Sequence, residues 1–264
     1  MNTRFSLVFV TVSLVVSGCA SIRDQSVAFK GLSDCPVQSA ATLLANEAQL
    51  GPASSTHALQ CALTVARESG DAALNRSALP SRLALHLAER ETDAQKKVAL
   101  ANEGVQLAER ALQQGGMNNG AVQYYLAANL GLSVRDRPLE GAQQLPRLEQ
   151  TLQKAMQLEP GIDQGGPLRL LGMLYLKAPP WPTGMGDGDK ALDLLKQASS
   201  RYPEHPLNDL FYAQALWEVD NQADQARAAL DRGQRALQAG AWGYNKAVWA
   251  REFATFAKTL PSSP

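Results

Sequence analysis

"LLGMLYLKAPPWPTGMGDGDKALDLLKQASSRYP", residues 170–203, decides how this chain folds. Apolar residues recur three and four apart on both sides of its centre, the period of a helix and not of a strand. The centre, residues 177–190, holds three prolines and three glycines, too many breakers for a helix to pass through. Beyond it, aspartates precede "KALDLLKQASS" and Pro203 follows it. Acidic residues at a helix start and proline past its end satisfy the unpaired backbone groups and the dipole there. The stretch therefore reads as helix, enlarged turn and second helix, the second starting at about Asp187.

Working outward, the same layout recurs. A tetratricopeptide unit has a helix A with a large-small-large set and a helix B with spacings of four, three and five ending in proline. Residues Leu171, Gly172 and Tyr175, then Ala191, Leu195, Ala198 and Pro203, follow it. One unit earlier stand Leu126, Ala127 and Leu130, then Leu148, Leu152, Ala155 and Pro160. A weaker first unit has Leu83, Ala84 and Leu87, then Gly104, Ala108, Ala111 and Gly116. The fourth has Tyr212, Ala213 and Leu216, then Ala226, Leu230 and Gly233. Small residues let the two helices approach, and each hairpin needs a neighbour to bury its apolar face. The chain is expected to be all-α, an array of antiparallel, degenerate tetratricopeptide-like hairpins curled around a pore or groove. The small positions Ala111, Ala155, Ala198 and Gly233 lie 44, 43 and 35 residues apart, against about 34 for a standard unit. The extra residues are expected between helix A and helix B, with "SVRDRPLEGAQQLP" (133–146) the counterpart of the turn at 177–190.

The array is expected to occupy residues 35–260: an N-terminal hairpin at 35–78, four units at 79–240, and a capping helix at 241–260 carrying Trp242, Trp249, Phe253 and Phe256. Residues 1–18 resemble a bacterial lipoprotein signal peptide. Arg4 precedes a twelve-residue apolar run, too short to span a bilayer, and Ser17 and Gly18 lead directly into Cys19. That resemblance implies lipidation of Cys19, each buried methylene contributing about 0.8 kcal/mol to anchoring. Residues 19–34 then form a tether, and the absence of aspartate after Cys19 implies an outer-membrane lipoprotein facing the periplasm. In an oxidising compartment Cys35 and Cys61 are candidates for a disulfide, which would contribute roughly 3.5 kcal/mol in the chain-entropy model. The other reading is two buried thiols.

Lysine plus arginine equals aspartate plus glutamate at 25 each, so no basic face points to nucleic acid. His57, His86 and His205 are dispersed and belong to no metal or hydrolase motif. No cofactor, metal or catalytic residue is expected, and the chain reads as a non-enzyme. "GMGDGD" (184–189) is a faint calcium loop or a turn with glycines at positive φ and a capping aspartate; the turn fits better. Trp181, stiffened by Pro180 and Pro182, either plugs the array or lines a ligand site. Aromatic residues on the A helices, including Tyr124, Tyr125, Tyr175, Phe211, Tyr212 and Trp217, are core or lie along a concave groove. The binding candidates are Trp181, Asp187, Tyr124 and Tyr175.

Residues 165–216, preceded by "AVQYYLAANLGL" (121–132), resemble the T-component family of tripartite ATP-independent periplasmic (TRAP) transporters, with Gly186-Asp187 and Lys190-Ala191 ahead of a helix B. The resemblance covers about residues 80–240. It implies a lipoprotein with a central pore that binds or passes a small hydrophobic or acidic ligand, a periplasmic solute-binding partner, and trimers. The alternative is a protein-interaction scaffold for envelope assembly, holding a peptide or helix in its groove.

Overall fold

Side-chain caps and prolines decide where the helices begin. The computed structural model describes Cys35 and residues 39–261; the signal segment, Cys19 and the tether lie outside the described residues. Among these, twelve α-helices follow one another: α1 (Ala40–Ala45), α2 (Thr56–Glu68), α3 (Ala72–Arg76), α4 (Leu79–Arg90), α5 (Ala94–Gln113), α6 (Gly120–Val134), α7 (Pro138–Leu158), α8 (Gly166–Lys177), α9 (Gly188–Arg201), α10 (Pro206–Glu218), α11 (Ala223–Ala239) and α12 (Asn245–Ala257). Ser55, Asp71, Asp93, Asn119 and Asp187 each accept a backbone N–H of the first turn they precede. Proline sits in the first turn of α4, α7, α8 and α10, where its missing N–H has no partner to lose. No helix of the described residues is long and apolar enough to cross a membrane.

The chain is an all-α repeat array. Helices α4, α6, α8 and α10 pack as A helices on α5, α7, α9 and α11, and each B helix also packs on the next A helix. The small residues mark the closest approaches. A Cβ on Gly104 of α5 would fall 2.2 Å from Asn129 Oδ1 of α6, and one on Gly172 of α8 would fall 2.6 Å from Leu195 Cγ of α9. The buried Asn129 amide donates to Ser81 O and Tyr125 O, while Ser81 Oγ donates to Gly104 O, so one polar group ties α4, α5 and α6. Two further core clusters carry the array on, one around Leu152, Leu171 and Ala191 and one around Leu210, Leu230 and Phe253.

The extra residues of the early units lie elsewhere than expected. They lengthen helix B instead of the turn: α5 has 20 residues and α7 has 21, against 14 in α9. Residues 138–146 are helical because Pro138 starts α7 and because Pro146 lies on its exposed side. In the third unit the extra residues do form a loop. Its glycines serve close approach, not positive φ: a Cβ on Gly184 would meet Pro179 O at 2.4 Å and one on Gly186 would meet Ala178 O at 2.2 Å. Gly186 N donates to Pro179 O and Asp187 N to Tyr175 O, closing the loop onto α8.

At the amino end α1 is short, because Asn46 turns its side-chain amide back onto Thr42 O and ends it. The sulfurs of Cys35 and Cys61 are bonded, with Cα atoms 5.4 Å apart. At the carboxyl end α12 lays Phe253 and Phe256 on α10 and α11. The segment before α12 then reaches the loop before α2. Tyr244 N donates to Pro52 O, and Tyr244 OH donates to Arg90 O at 3.4 Å. Arg90 donates to Pro52 O and Ser54 O and lies 5.7 Å from the centre of the Tyr244 ring. The two ends of the array meet, and the array closes around a cavity.

Candidate functional site

The cavity has a volume of about 740 Å³ and is walled by α4, α6, α7, α8, α10 and α12. Its surface is mainly apolar, with Leu132, Leu145, Leu170, Met173, Phe211 and Trp249 among its walls. The lengthened α7 contributes Pro138, Gly141, Ala142 and Leu145, so the residues that stretch helix B also build the site. Pro52 and Trp242 come from opposite ends of the chain.

Two polar groupings interrupt the apolar wall. In one, Tyr124 OH donates to Asp163 Oδ2 at 2.6 Å and Arg169 Nη2 donates to the same oxygen at 2.5 Å. Arg169 Nη1 donates to Asn208 Oδ1 at 2.8 Å, and both terminal nitrogens reach the Asp163 carbonyl at 3.3 Å. Asn208 Nδ2 donates to Gln164 O and Tyr202 O. This lattice holds the turn before α8, where Asp163 and Gln164 have φ of 49° and Gly165 has φ of 85°. Non-glycine residues rarely adopt that conformation, and the buried guanidinium under the turn keeps them there. Gly166 passes so close to Tyr124 that a Cβ would lie 2.5 Å from its ring.

Electrostatics follow from that arrangement. Desolvation pushes the Asp163 pKa up, but Arg169, helped by the hydrogen bond from the Tyr124 hydroxyl, outweighs it and holds the carboxyl below the usual aspartate range. The same burial, with Asp163 beside it, drives the Tyr124 phenol well above its usual value, so it stays a donor. His205, 3% exposed, precedes α10 and packs against Trp242 and Trp249 with ring centres 5.2 Å away in each case. Its Nδ1 is buried without a hydrogen-bond partner among the described residues. Burial, reinforced by Arg169 and opposed by Asp163, lowers its pKa to about 3, so the ring is neutral at neutral pH. In the second grouping Arg135 lies within electrostatic reach of Glu252, with Glu89 near.

Of the residues singled out in the sequence, Tyr124 lines the cavity, as do Tyr125 and Phe211. Tyr175 belongs to the core between α7, α8 and α9; its hydroxyl donates to Glu149 Oε1 at 2.5 Å, and Lys190 Nζ lies 5.3 Å from its ring centre. Asp187 caps α9, Oδ1 accepting Lys190 N at 3.1 Å while Oδ2 pairs with Lys190 Nζ at 3.0 Å. Tyr175 and Asp187 are thus joined through Lys190, away from the cavity lining. Trp181 is 84% exposed and points away from the core, although Ala178 and Pro179 just before it border the cavity. Among the described residues no group of three His, Cys, Asp or Glu side chains is placed to hold a metal. Sequence reasoning misses Asp163, Arg169, Trp242 and Trp249 as a site and sets His205 aside. The one available signal is Arg169, a charge on the apolar face of "PLRLLGMLYL" (167–176).

Comparison with known proteins bears on the repeat. A tetratricopeptide repeat family model matches residues 183–243, which run from the end of the loop before α9 to the segment ahead of α12. A solved structure of a thermophilic TPR protein from Thermus thermophilus is similar, with a TM-score of 0.49 at 18% identity, over 75% of this chain and 91% of that one. Among curated proteins none matches the chain.

Proposed function

We propose that this chain is a non-enzymatic, lipid-anchored accessory subunit of TRAP-type solute uptake, held at the outer membrane through Cys19 and facing the periplasm. It takes a small, largely apolar ligand into the central cavity and passes it to a periplasmic solute-binding protein. The observation that carries the reading is the cavity itself. The two ends of the chain meet beside an apolar cavity that stays partly open to solvent, and a few polar groups converge on its wall. Its volume falls within the range of about 300–1,000 Å³ common for small-molecule sites. The lipobox-like start and the resemblance of residues 80–240 supply the compartment and the partner class, and trimers by the same resemblance.

The test is occupancy. Protein purified without detergent-like additives is denatured, and released small molecules are identified by mass spectrometry. Leu170→Trp, which fills the chamber, is expected to abolish recovery while leaving the helical signal unchanged. Recovery of the same molecules from both proteins sinks the reading.

A second reading is a protein-interaction scaffold, favoured by the tetratricopeptide match and by the exposed side chains of Leu139 and Trp181, 85% and 84% open, in the A–B regions of adjacent units. A photoreactive residue at Trp181 separates the two. Capture of a solute-binding protein favours uptake; capture of envelope-assembly proteins favours the scaffold.

A further inference from the structure

The polar side of the cavity has its own chemical preference. Arg169, the cation nearest Asp163, is sealed: its guanidinium is 4% exposed and its terminal nitrogens all point at Asn208, Asp163 and the 163–164 backbone. The Tyr124 hydrogen is committed to Asp163 Oδ2. Asp163 Oδ1 accepts no hydrogen bond from the described residues, and the Asp163 side chain keeps 40% of its surface while lining the cavity. His205 packs its imidazole against two tryptophans, its Nδ1 buried and without a hydrogen-bond partner among the described residues. Away from Asp163, Lys177 binds Glu218 at 2.6 Å, His86 lies 3.4 Å from Glu89, and the exposed Arg135 stands at the other polar grouping with Glu252.

We infer that the cavity takes an apolar molecule bearing one uncharged hydrogen-bond donor, a hydroxyl being the plainest case, seated at Asp163 Oδ1 beside His205, and that it rejects carboxylates. The inference rests on the ligand-binding reading above and narrows its substrate class. A neutral imidazole offers one donor and one acceptor, and an ionised carboxylate only accepts. A hydroxyl can donate to Asp163 Oδ1 while adding no charge beside the neutral ring. A ligand carboxylate at this end of the cavity would find the nearby donors already used and would set its charge against Asp163. An ether would leave Asp163 Oδ1 without a donor.

The experiment titrates the full chain, with Trp181 and Trp217 replaced by Phe, with 1-decanol, decanoate and decyl methyl ether, reading the fluorescence of Trp242 and Trp249 at the cavity. The three probes share a chain length and differ at the head. Decanol is expected to bind about tenfold or more tighter than either other probe, the scale of a hydrogen bond to a charged acceptor. Asp163→Asn is expected to narrow the gap between decanoate and decanol. Decanoate or the ether matching decanol while Asp163 is intact overturns the inference and leaves the cavity reading standing. A gap that Asp163→Asn leaves unchanged overturns the assignment to Asp163. Absence of binding by all three overturns the cavity reading and this inference with it.

Discussion

His205 is kept neutral by its surroundings, and that has a measurable consequence for stability. In the unfolded chain a histidine takes a proton near pH 6.5; in the fold His205 does so only at about 3. Below pH 6.5 the unfolded state therefore binds the extra proton and the folded state does not. The contribution of the neutral ring is present above pH 6.5 and is lost progressively as pH falls from there towards 3. Each pH unit costs about 1.4 kcal/mol. Between pH 7.5 and pH 5, urea unfolding of the native protein should lose about 2 kcal/mol more than that of His205→Gln, which carries no titrating ring. Equal losses would mean that the imidazole is hydrated. Tyr124 is legible in the sequence as a helix-A aromatic that either packs or lines a groove, and in the structure it does both. Asp163 and Arg169 are not, because their meaning comes from a turn and two helices of neighbouring units converging on one carboxylate oxygen, and sequence spacing holds no such distance.

At the scale of elements, start signals read well and lengths read poorly. Asp187 is expected to cap a helix and does, its Oδ1 accepting Lys190 N. Asp187→Ala should therefore cost about 1 kcal/mol in thermal or urea unfolding, and Asp187→Asn should recover most of it. A loss with both would point to the Lys190 pair instead. The length of α7 is harder to read, because "RPLEGAQQLP" (137–146) carries a proline at each end and looks like a turn. A proline costs a helix interior about 3 kcal/mol, yet tertiary packing of Leu145 and Leu148 over the cavity outweighs it. Pro146→Ala should restore the missing backbone bond without touching the buried face. Allowing for the greater freedom of the unfolded chain, it should stabilise the protein by about 1–2 kcal/mol. A decrease in stability would show that Pro146 sets the course of α7.

At the scale of the whole molecule, the two ends of the array meet, and that meeting is what local pattern cannot show. The repeat period announces stacked hairpins, and the aromatic tail announces a cap on the last of them. Neither announces that the cap returns to the first hairpin, since Tyr244 and Arg90 are 154 positions apart. The junction is small: one guanidinium gathers the carbonyls of Pro52 and Ser54 and faces the Tyr244 ring. Gly243 follows for a steric reason, because a Cβ there would lie 2.1 Å from Pro52 O. The stacked core does not include this clasp: Leu210, Leu230 and Phe253 pack among α10, α11 and α12, with Leu192 of α9 against them. Arg90→Ala should therefore lower global stability only by about 1–3 kcal/mol, the cost of leaving those carbonyls without a charged donor. It should raise amide exchange at 51–54 and 242–245 far more than in α8 and α9. A double-mutant cycle with Tyr244→Phe and Tyr244→Ala separates the hydroxyl from the ring. Coupling of about 0.5–1 kcal/mol should appear for the ring, as expected of a cation over an exposed aromatic face. If exchange rises uniformly along the chain, the ends are held by the stacked core and not by the clasp.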